Sequence, residues 1–129
     1  MRILAGGCGY PMNSLSKRNE LIPRMSVPRT FAGAAINATS GQSLRFRGVD
    51  VSIHGFGCVV TGSVSQNDKI QIQMGNQAFS FEVMWVESYL GIEQQYRVGL
   101  QCLDRMRDIR AHMVSMGVVL TPIDDEFAA

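Results

Sequence analysis

The chain has 129 residues and a formal net charge of +1, and 46% of its residues are hydrophobic and 18% charged. This is the composition of one ordinary soluble globular domain. No apolar run approaches the roughly 20 residues of a membrane-spanning helix, and the near-neutral charge excludes a general attraction to nucleic acid. We therefore expect neither membrane insertion nor a DNA or RNA partner.

The three cysteines, Cys8, Cys58 and Cys102, show no CxxC spacing. Cys58 and Cys102 lie within apolar stretches, which predicts buried thiols in the reducing cytoplasm. The two histidines, His54 and His112, are not spaced with cysteines as metal ligands are. We expect no metal site and no bound cofactor.

Three segments differ in composition. Residues 1–22 are rich in glycine, serine and asparagine without a periodic apolar pattern, which predicts a flexible N-terminal arm. Residues 23–117 form the predicted folded domain, and residues 118–129 form a short acidic tail that we expect to be loose. Alternating or apolar stretches in the domain predict strands at Thr30–Asn37, Leu44–Ser52, Cys58–Val64, Lys69–Met74, Ala78–Tyr89 and Tyr96–Leu103.

Glycines mark the predicted bulges and turns of this strand pattern. Gly48 interrupts the alternation of Leu44 and Phe46 and predicts a bulge or bend. The pair Gly75-Asn76 predicts a tight hairpin turn. In the next strand, strict alternation places four apolar side chains on one face: Phe79, Phe81, Val83 and Trp85.

After the last strand the apolar period changes from two to that of a helix. Asp104 is the predicted N-terminal cap, and Gly117 is the predicted stop. The methionine-rich stripe of this helix is expected to lie across a barrel opening, with a partner-docking face as the alternative. The stripe comprises Leu103, Met106, Ile109, Met113 and Met116.

The element order predicts a mainly β fold. Short strands with turns every 8 to 14 residues, followed by one helix, favour a small closed antiparallel barrel over a helix-covered parallel sheet.

The candidate site lies in the stretch GVDVSIHGFGCVV, from Gly48 to Val60. Asp50 and Ser52 share one face of a strand and present a carboxylate beside a hydroxyl. A carboxylate can accept the N1–H and N2–H donors of guanine, and Gly55 allows close approach to the backbone. The alternative is that Asp, Ser and Gly only build a turn.

The motif DVSIHG, Asp50–Gly55, resembles the D/N-x-S-x-x-G motif of the PilZ domain family. The later stretches VMWV, Val83–Val86, and VGLQC, Val98–Cys102, also resemble the family's strands, and a C-terminal helix follows. The resemblance implies a six-stranded antiparallel β-barrel with a C-terminal α-helix. It also implies binding of the bacterial second messenger cyclic di-GMP.

The family's second motif is R-x-x-x-R on the N-terminal arm, and here it is incomplete. Arg24 in PRMSV matches its second arginine, but Glu20 stands in place of the first. Arg18 lies six residues before Arg24 and is a candidate helper. The resemblance therefore implies a ligand site formed by Arg18, Arg24, Asp50, Ser52 and Gly55.

Two functions follow. The first is a cyclic di-GMP effector whose arm or surface changes on ligand binding and regulates an unidentified protein partner. The second is a degenerate PilZ-like adaptor that makes protein contacts without binding cyclic di-GMP, which Glu20 favours. No nucleophile–base pair or phosphate-cradling loop stands out, so we do not expect an enzyme.

Overall fold

The computed structural model describes residues 24–123. This part of the chain consists of eight strands and one helix, α1 (Ile109–Ser115). The strands are β1 (Met25–Ser26), β2 (Ala32–Asn37), β3 (Gln42–Val51), β4 (Gly55–Thr61), β5 (Lys69–Met74), β6 (Gln77–Ser88), β7 (Gln95–Cys102) and β8 (Thr121–Pro122).

Six of the strands close an antiparallel barrel. They are hydrogen-bonded in the order β2-β5-β6-β7-β4-β3, and the pairing of β2 with β3 completes the circle. The end of β3, at Asp50 and Val51, pairs with β1 instead of β2. The short strand β1 pairs in turn with β8. The predicted fold class, a six-stranded antiparallel barrel with a C-terminal helix, is confirmed.

The turn predicted at Gly75 lies between β5 and β6, and Gly75 has the positive φ of 66° that such a turn requires. The bulge predicted at Gly48 is also present. Gly48 pairs with Cys58 and Asp50 pairs with Gly57, so Val49 is the extra residue of β3. Because one extra residue reverses the side-chain alternation, Val51 is buried in the barrel and Asp50 is on its outer face.

A second bulge lies in β6 and was not predicted. Val83 pairs with Leu100 and Trp85 pairs with Gly99, so Met84 is the extra residue. The alternation reverses here too, and Val86 rather than Trp85 packs against the core. The prediction that Trp85 shares the face of Val83 is therefore wrong.

The barrel interior is an aromatic and aliphatic core. Phe56 lies at its centre, with its ring centroid about 6 Å from those of three other phenylalanines: 6.1 Å from Phe31, 5.9 Å from Phe46 and 6.1 Å from Phe81. The helix contributes Ile109 and Met113 to this core, both with 0% exposure. These two residues fix α1 against the barrel.

The helix begins later than the sequence indicates. Its N-cap is Asp108, whose carboxylate accepts from the Ala111 amide at 2.9 Å, whereas Asp104 accepts from the Met106 amide in the preceding turn. The reason is tertiary: the Ile109 amide donates to the Ile53 carbonyl at 2.9 Å. Met106 is consequently 93% exposed and does not extend the buried stripe.

The helix ends at Ser115 with Met116 as its C-cap, and the predicted stop, Gly117, follows with a φ of 89°. Thr121 and Pro122 then pair with Ser26 and Met25 as strand β8, so this part of the expected loose tail is ordered by backbone pairing. The expected arm, residues 1–22, and the acidic residues 124–129 lie outside the described residues.

Two absences hold for residues 24–123. No helix there is long and apolar enough to cross a membrane. That segment also contains no group of three or more His, Cys, Asp or Glu side chains placed to hold a metal ion.

Cys58 and Cys102 are buried free thiols, as predicted. Burial raises the pKa of the Cys58 thiol from its ordinary value of 9.0 to about 12, and the positive charge of Arg97 opposes this only partly. Above pH 9.0 the unfolded chain therefore loses the Cys58 proton while the folded protein keeps it. The contribution of this thiol to stability is fully present below that pH and is lost as the pH rises towards 12.

We expect the free energy of unfolding to fall with pH in this window by up to ~1.4 kcal/mol per unit through Cys58. Urea unfolding at a series of alkaline pH values measures this slope. The variant Cys58→Ala should show a shallower slope than the parent, because the titration of the other groups is common to both. Parallel slopes for the two proteins would contradict the assignment.

Candidate functional site

The corner between β3 and β4 is a turn closed by Ser52. The Ser52 amide donates to the Gly55 carbonyl at 2.8 Å, and the Ser52 hydroxyl accepts from the Gly55 amide at 3.1 Å. A Cβ added at Gly55 would lie 2.9 Å from the Ser52 hydroxyl oxygen, so a side chain there would displace the hydroxyl that closes the turn. Ser52 thus has a structural role, while Asp50 takes no part in the turn's hydrogen bonds.

Arg24 reaches this corner because β1 pairs with the second half of β3. Met25 pairs with Val51, which places Arg24 beside the corner. Its Nη2 donates to Asp50 Oδ1 at 2.8 Å, and its Nη1 lies 3.4 Å from Ser52 Oγ. The long-range pairing therefore unites residues that are 26 and 28 positions apart in the sequence.

A second arginine approaches the same carboxylate from β7. Arg97 Nη2 lies 3.5 Å from Asp50 Oδ2, and Arg97 Nη1 donates to the Val98 carbonyl at 2.9 Å. The guanidinium carbon of Arg97 is 5.2 Å from the centre of the Trp85 ring, within the range of a cation–π interaction. One acidic side chain is thus held between two arginines, one of which also contacts an indole.

Two glycines form the floor between Asp50 and Trp85. The strand registers align Asp50 with Gly57, Gly57 with Gly99 and Gly99 with Trp85 across four neighbouring strands. A Cβ at Gly57 would overlap the Asp50 carboxylate, and one at Gly99 would overlap the Trp85 indole. Both side chains therefore lie directly on glycine backbone, in positions that a side chain at Gly57 or Gly99 would block.

These groups line a cleft of about 470 Å³ on the outside of the barrel. That volume falls within the range of small-molecule sites. Among residues 24–123, the cleft is lined by three cationic side chains, Arg24, Arg97 and Arg105, and by one anionic side chain, Asp50, a difference of two positive charges. The other lining residues are Ser52, His54, Gly55, Gly57, Met84, Trp85, Gly99, Leu100 and Gln101. The arrangement suits an anionic ligand with an aromatic group.

The structure brings together four of the residues singled out from the sequence: Arg24, Asp50, Ser52 and Gly55 all line this cleft. The remaining candidate, Arg18, lies outside the described residues, as does Glu20. The strand order is what unites the four, because β1 adds to β3 rather than to its neighbour in sequence.

Sequence reasoning missed Trp85, Arg97 and Arg105. Alternation predicts Trp85 on the face of Val83, because nothing in the sequence marks Met84 as a bulge. Arg97 carried a usable signal, since it alternates with Val98 and Leu100 and so belongs on the outer face of β7. Arg105 follows β7 and has no such signal.

A scan against protein-family models finds no match, and a search of the curated proteins also finds none. Among solved structures, the chain is similar to the PilZ domain of YcgR from Escherichia coli, whose structure includes c-di-GMP. The TM-score is 0.49 and the sequence identity 16%, over 76% of this chain and 97% of that chain.

Proposed function

We propose that the cleft binds cyclic di-GMP and that the protein is a PilZ-like effector, which changes its arm or surface on binding and thereby regulates a protein partner. The observation that carries the proposal is the convergence of Arg24, Asp50 and Ser52 on one cleft with Arg97 and Trp85. The ligand is an intracellular messenger, so we place the protein in the bacterial cytoplasm.

The ligand's chemistry matches the groups available. A cyclic dinucleotide of guanine has anionic phosphodiesters, which guanidinium groups bind through charge-assisted hydrogen bonds. Its purines have flat faces that an indole such as Trp85 can stack against. The O6 and N7 acceptors of guanine are also the usual targets of arginine.

The hydrogen bonds of the Ser52 hydroxyl support a role in binding rather than in catalysis. Among the described residues that line the cleft, Ser52 is the one with a hydroxyl group; this hydroxyl accepts from the Gly55 amide and lies beside the Arg24 guanidinium. Ser52 is also only 4% exposed. A hydroxyl surrounded by donors, with no base among these partners, is poorly suited to act as a nucleophile.

The test is isothermal titration of the purified full chain with cyclic di-GMP at near-physiological salt. We expect saturable heat with a micromolar or lower Kd. The control is Arg45→Ala, since Arg45 is an exposed arginine of β3 that does not line the cleft. This variant should bind like the parent.

The absence of heat at high micromolar ligand, together with unchanged NMR spectra, would contradict the proposal. That outcome would favour the second function, an adaptor that does not bind cyclic di-GMP, which is suggested by Glu20 at the position of the motif's first arginine.

A further inference from the structure

The strand β8 brings the chain to the edge of the cleft. Strand β1 pairs antiparallel with β3 on one side and with β8 on the other. Continuing both registers by one residue places Arg24 between Ser52 and Ile123. Since β8 runs antiparallel to β1, it runs towards the end of β1 at which Arg24 lies. Ile123 is thus one strand away from an arginine of the cleft.

The residues that follow Ile123 are acidic. Asp124, Asp125 and Glu126 are consecutive in the sequence, and we call these three residues the acidic segment. The acidic segment lies outside the described residues, but its covalent link to Ile123 tethers it close to Arg24. Three carboxylates are therefore kept at high local concentration beside the cleft.

The charge of the cleft is opposite to that of the acidic segment. The described residues give the cleft three guanidinium groups and one carboxylate, whereas the segment carries three negative charges. Guanidinium and carboxylate groups form charge-assisted and often bidentate hydrogen bonds. Each guanidinium has five N–H donors. Arg24 and Arg97 can therefore bind a further anion while each remains beside Asp50.

The acidic segment is also long enough to enter the cleft. The guanidinium of Arg97 lies over β4, since a Cβ at Gly57 would be 3.0 Å from its Nη1. Strand β4 is three strands from β8 in the sheet, a distance of about 14 Å. An extended chain advances up to ~3.5 Å per residue, so the backbone of Glu126 can lie about 10 Å beyond Ile123. Its side chain extends further, which brings Arg97 within reach.

We propose that the acidic segment folds back into the cleft of its own molecule when no ligand is bound, with its carboxylates paired to Arg24 and Arg97. It then occupies the positions that the phosphates of a nucleotide ligand would take, and the ligand has to displace it. The effect on ligand affinity rests on the proposed function, whereas the contact itself does not.

The first experiment measures the contact without ligand. A nitroxide is attached to Phe127→Cys in a Cys8→Ser background, where Cys58 and Cys102 are at most 1% exposed and escape labelling. Trp85 is the chain's one tryptophan, so its indole N–H gives a single NMR signal from the cleft. We expect the nitroxide to broaden this signal, because the acidic segment holds position 127 near the cleft.

The neutral variant combines Asp124→Asn, Asp125→Asn and Glu126→Gln, and the broadening should fall in it. The matched control combines Asp124→Glu, Asp125→Glu and Glu126→Asp, which keeps every charge and should broaden the signal as the parent does. Equal broadening in the neutral variant and the parent would overturn the proposed contact.

A second copy of the chain is the competing source of the acidic segment. Isotope-labelled protein without a nitroxide is therefore mixed with nitroxide-labelled protein of natural isotopes. Here we expect no broadening of the Trp85 signal. Broadening as large as that within one chain would overturn the assignment to the same molecule.

The second experiment is isothermal titration of the unlabelled parent and both triple variants with cyclic di-GMP. The neutral variant should bind about 10-fold more tightly than the parent, because the ligand no longer displaces a charge-assisted pair. The charge-keeping control should bind like the parent. Equal affinity of the neutral variant and the parent would overturn the competition. If none of the three proteins binds, the proposed function fails, and the nitroxide experiment decides the contact by itself.

Discussion

Replacing Arg24 by alanine is expected to weaken cyclic di-GMP binding by about 10- to 100-fold, which is the cost of one charge-assisted hydrogen-bonded pair. Arg24 is held against Asp50 within the cleft, and its side chain is 23% exposed. The fold should survive, because Asp50 keeps Arg97 as a partner and partly exposed ion pairs contribute at most about 1 kcal/mol.

Isothermal titration at two salt concentrations measures this effect. The salt dependence of binding should be smaller in Arg24→Ala than in the parent, since one screened charge interaction has been removed. Arg45→Ala again serves as the control, because Arg45 is an exposed arginine that does not line the cleft. If Arg24→Ala bound like the parent at both salt concentrations, Arg24 would not belong to a ligand site.

Replacing Phe56 by alanine is expected to lower the free energy of unfolding by ~3–5 kcal/mol. Phe56 is fully buried and packs edge-on against the rings of Phe31 and Phe46. Domains of this kind are stable by only about 5–15 kcal/mol, so the variant should unfold at a much lower urea concentration.

Equilibrium urea unfolding followed by circular dichroism measures the loss. Leu90→Ala is the control, because Leu90 is 79% exposed and its truncation should change stability by no more than about 0.5 kcal/mol. If Phe56→Ala yields no folded protein, Phe56→Leu gives a milder measurement at the same position. A loss below about 1 kcal/mol in Phe56→Ala would show that the core does not depend on this ring.

The strands could be predicted because alternation is a local property. In β5, Ile70, Ile72 and Met74 are buried and alternate with exposed residues, as a strand with one buried face requires. The start of the helix could not be predicted in the same way. Asp104 and Asp108 are both good caps, and the choice between them depends on the bond from Ile109 to the Ile53 carbonyl, a distant part of the chain.

Of the two bulges, one could be predicted from local sequence and the other could not. Gly48 marks the first one in the sequence, because glycine interrupts a clear alternation. The second bulge falls at Met84, an ordinary strand residue, and its presence depends on the pairing of β6 with β7. The position of Trp85 outside the barrel follows from that pairing alone.

The sequence by itself determined the fold class, the buried residues of the regular strands and a polar corner at Asp50, Ser52 and Gly55. These properties follow from periodicity and from the backbone preferences of single residues, which act over a few positions. The tertiary structure decided which side chains share a cleft with that corner. Arg97 and Trp85 reach it through strand pairing and a bulge, and such long-range registers depend on packing that a local pattern does not encode. Arg24 is expected at the corner from the motif resemblance, and the pairing of β1 with β3 holds it there.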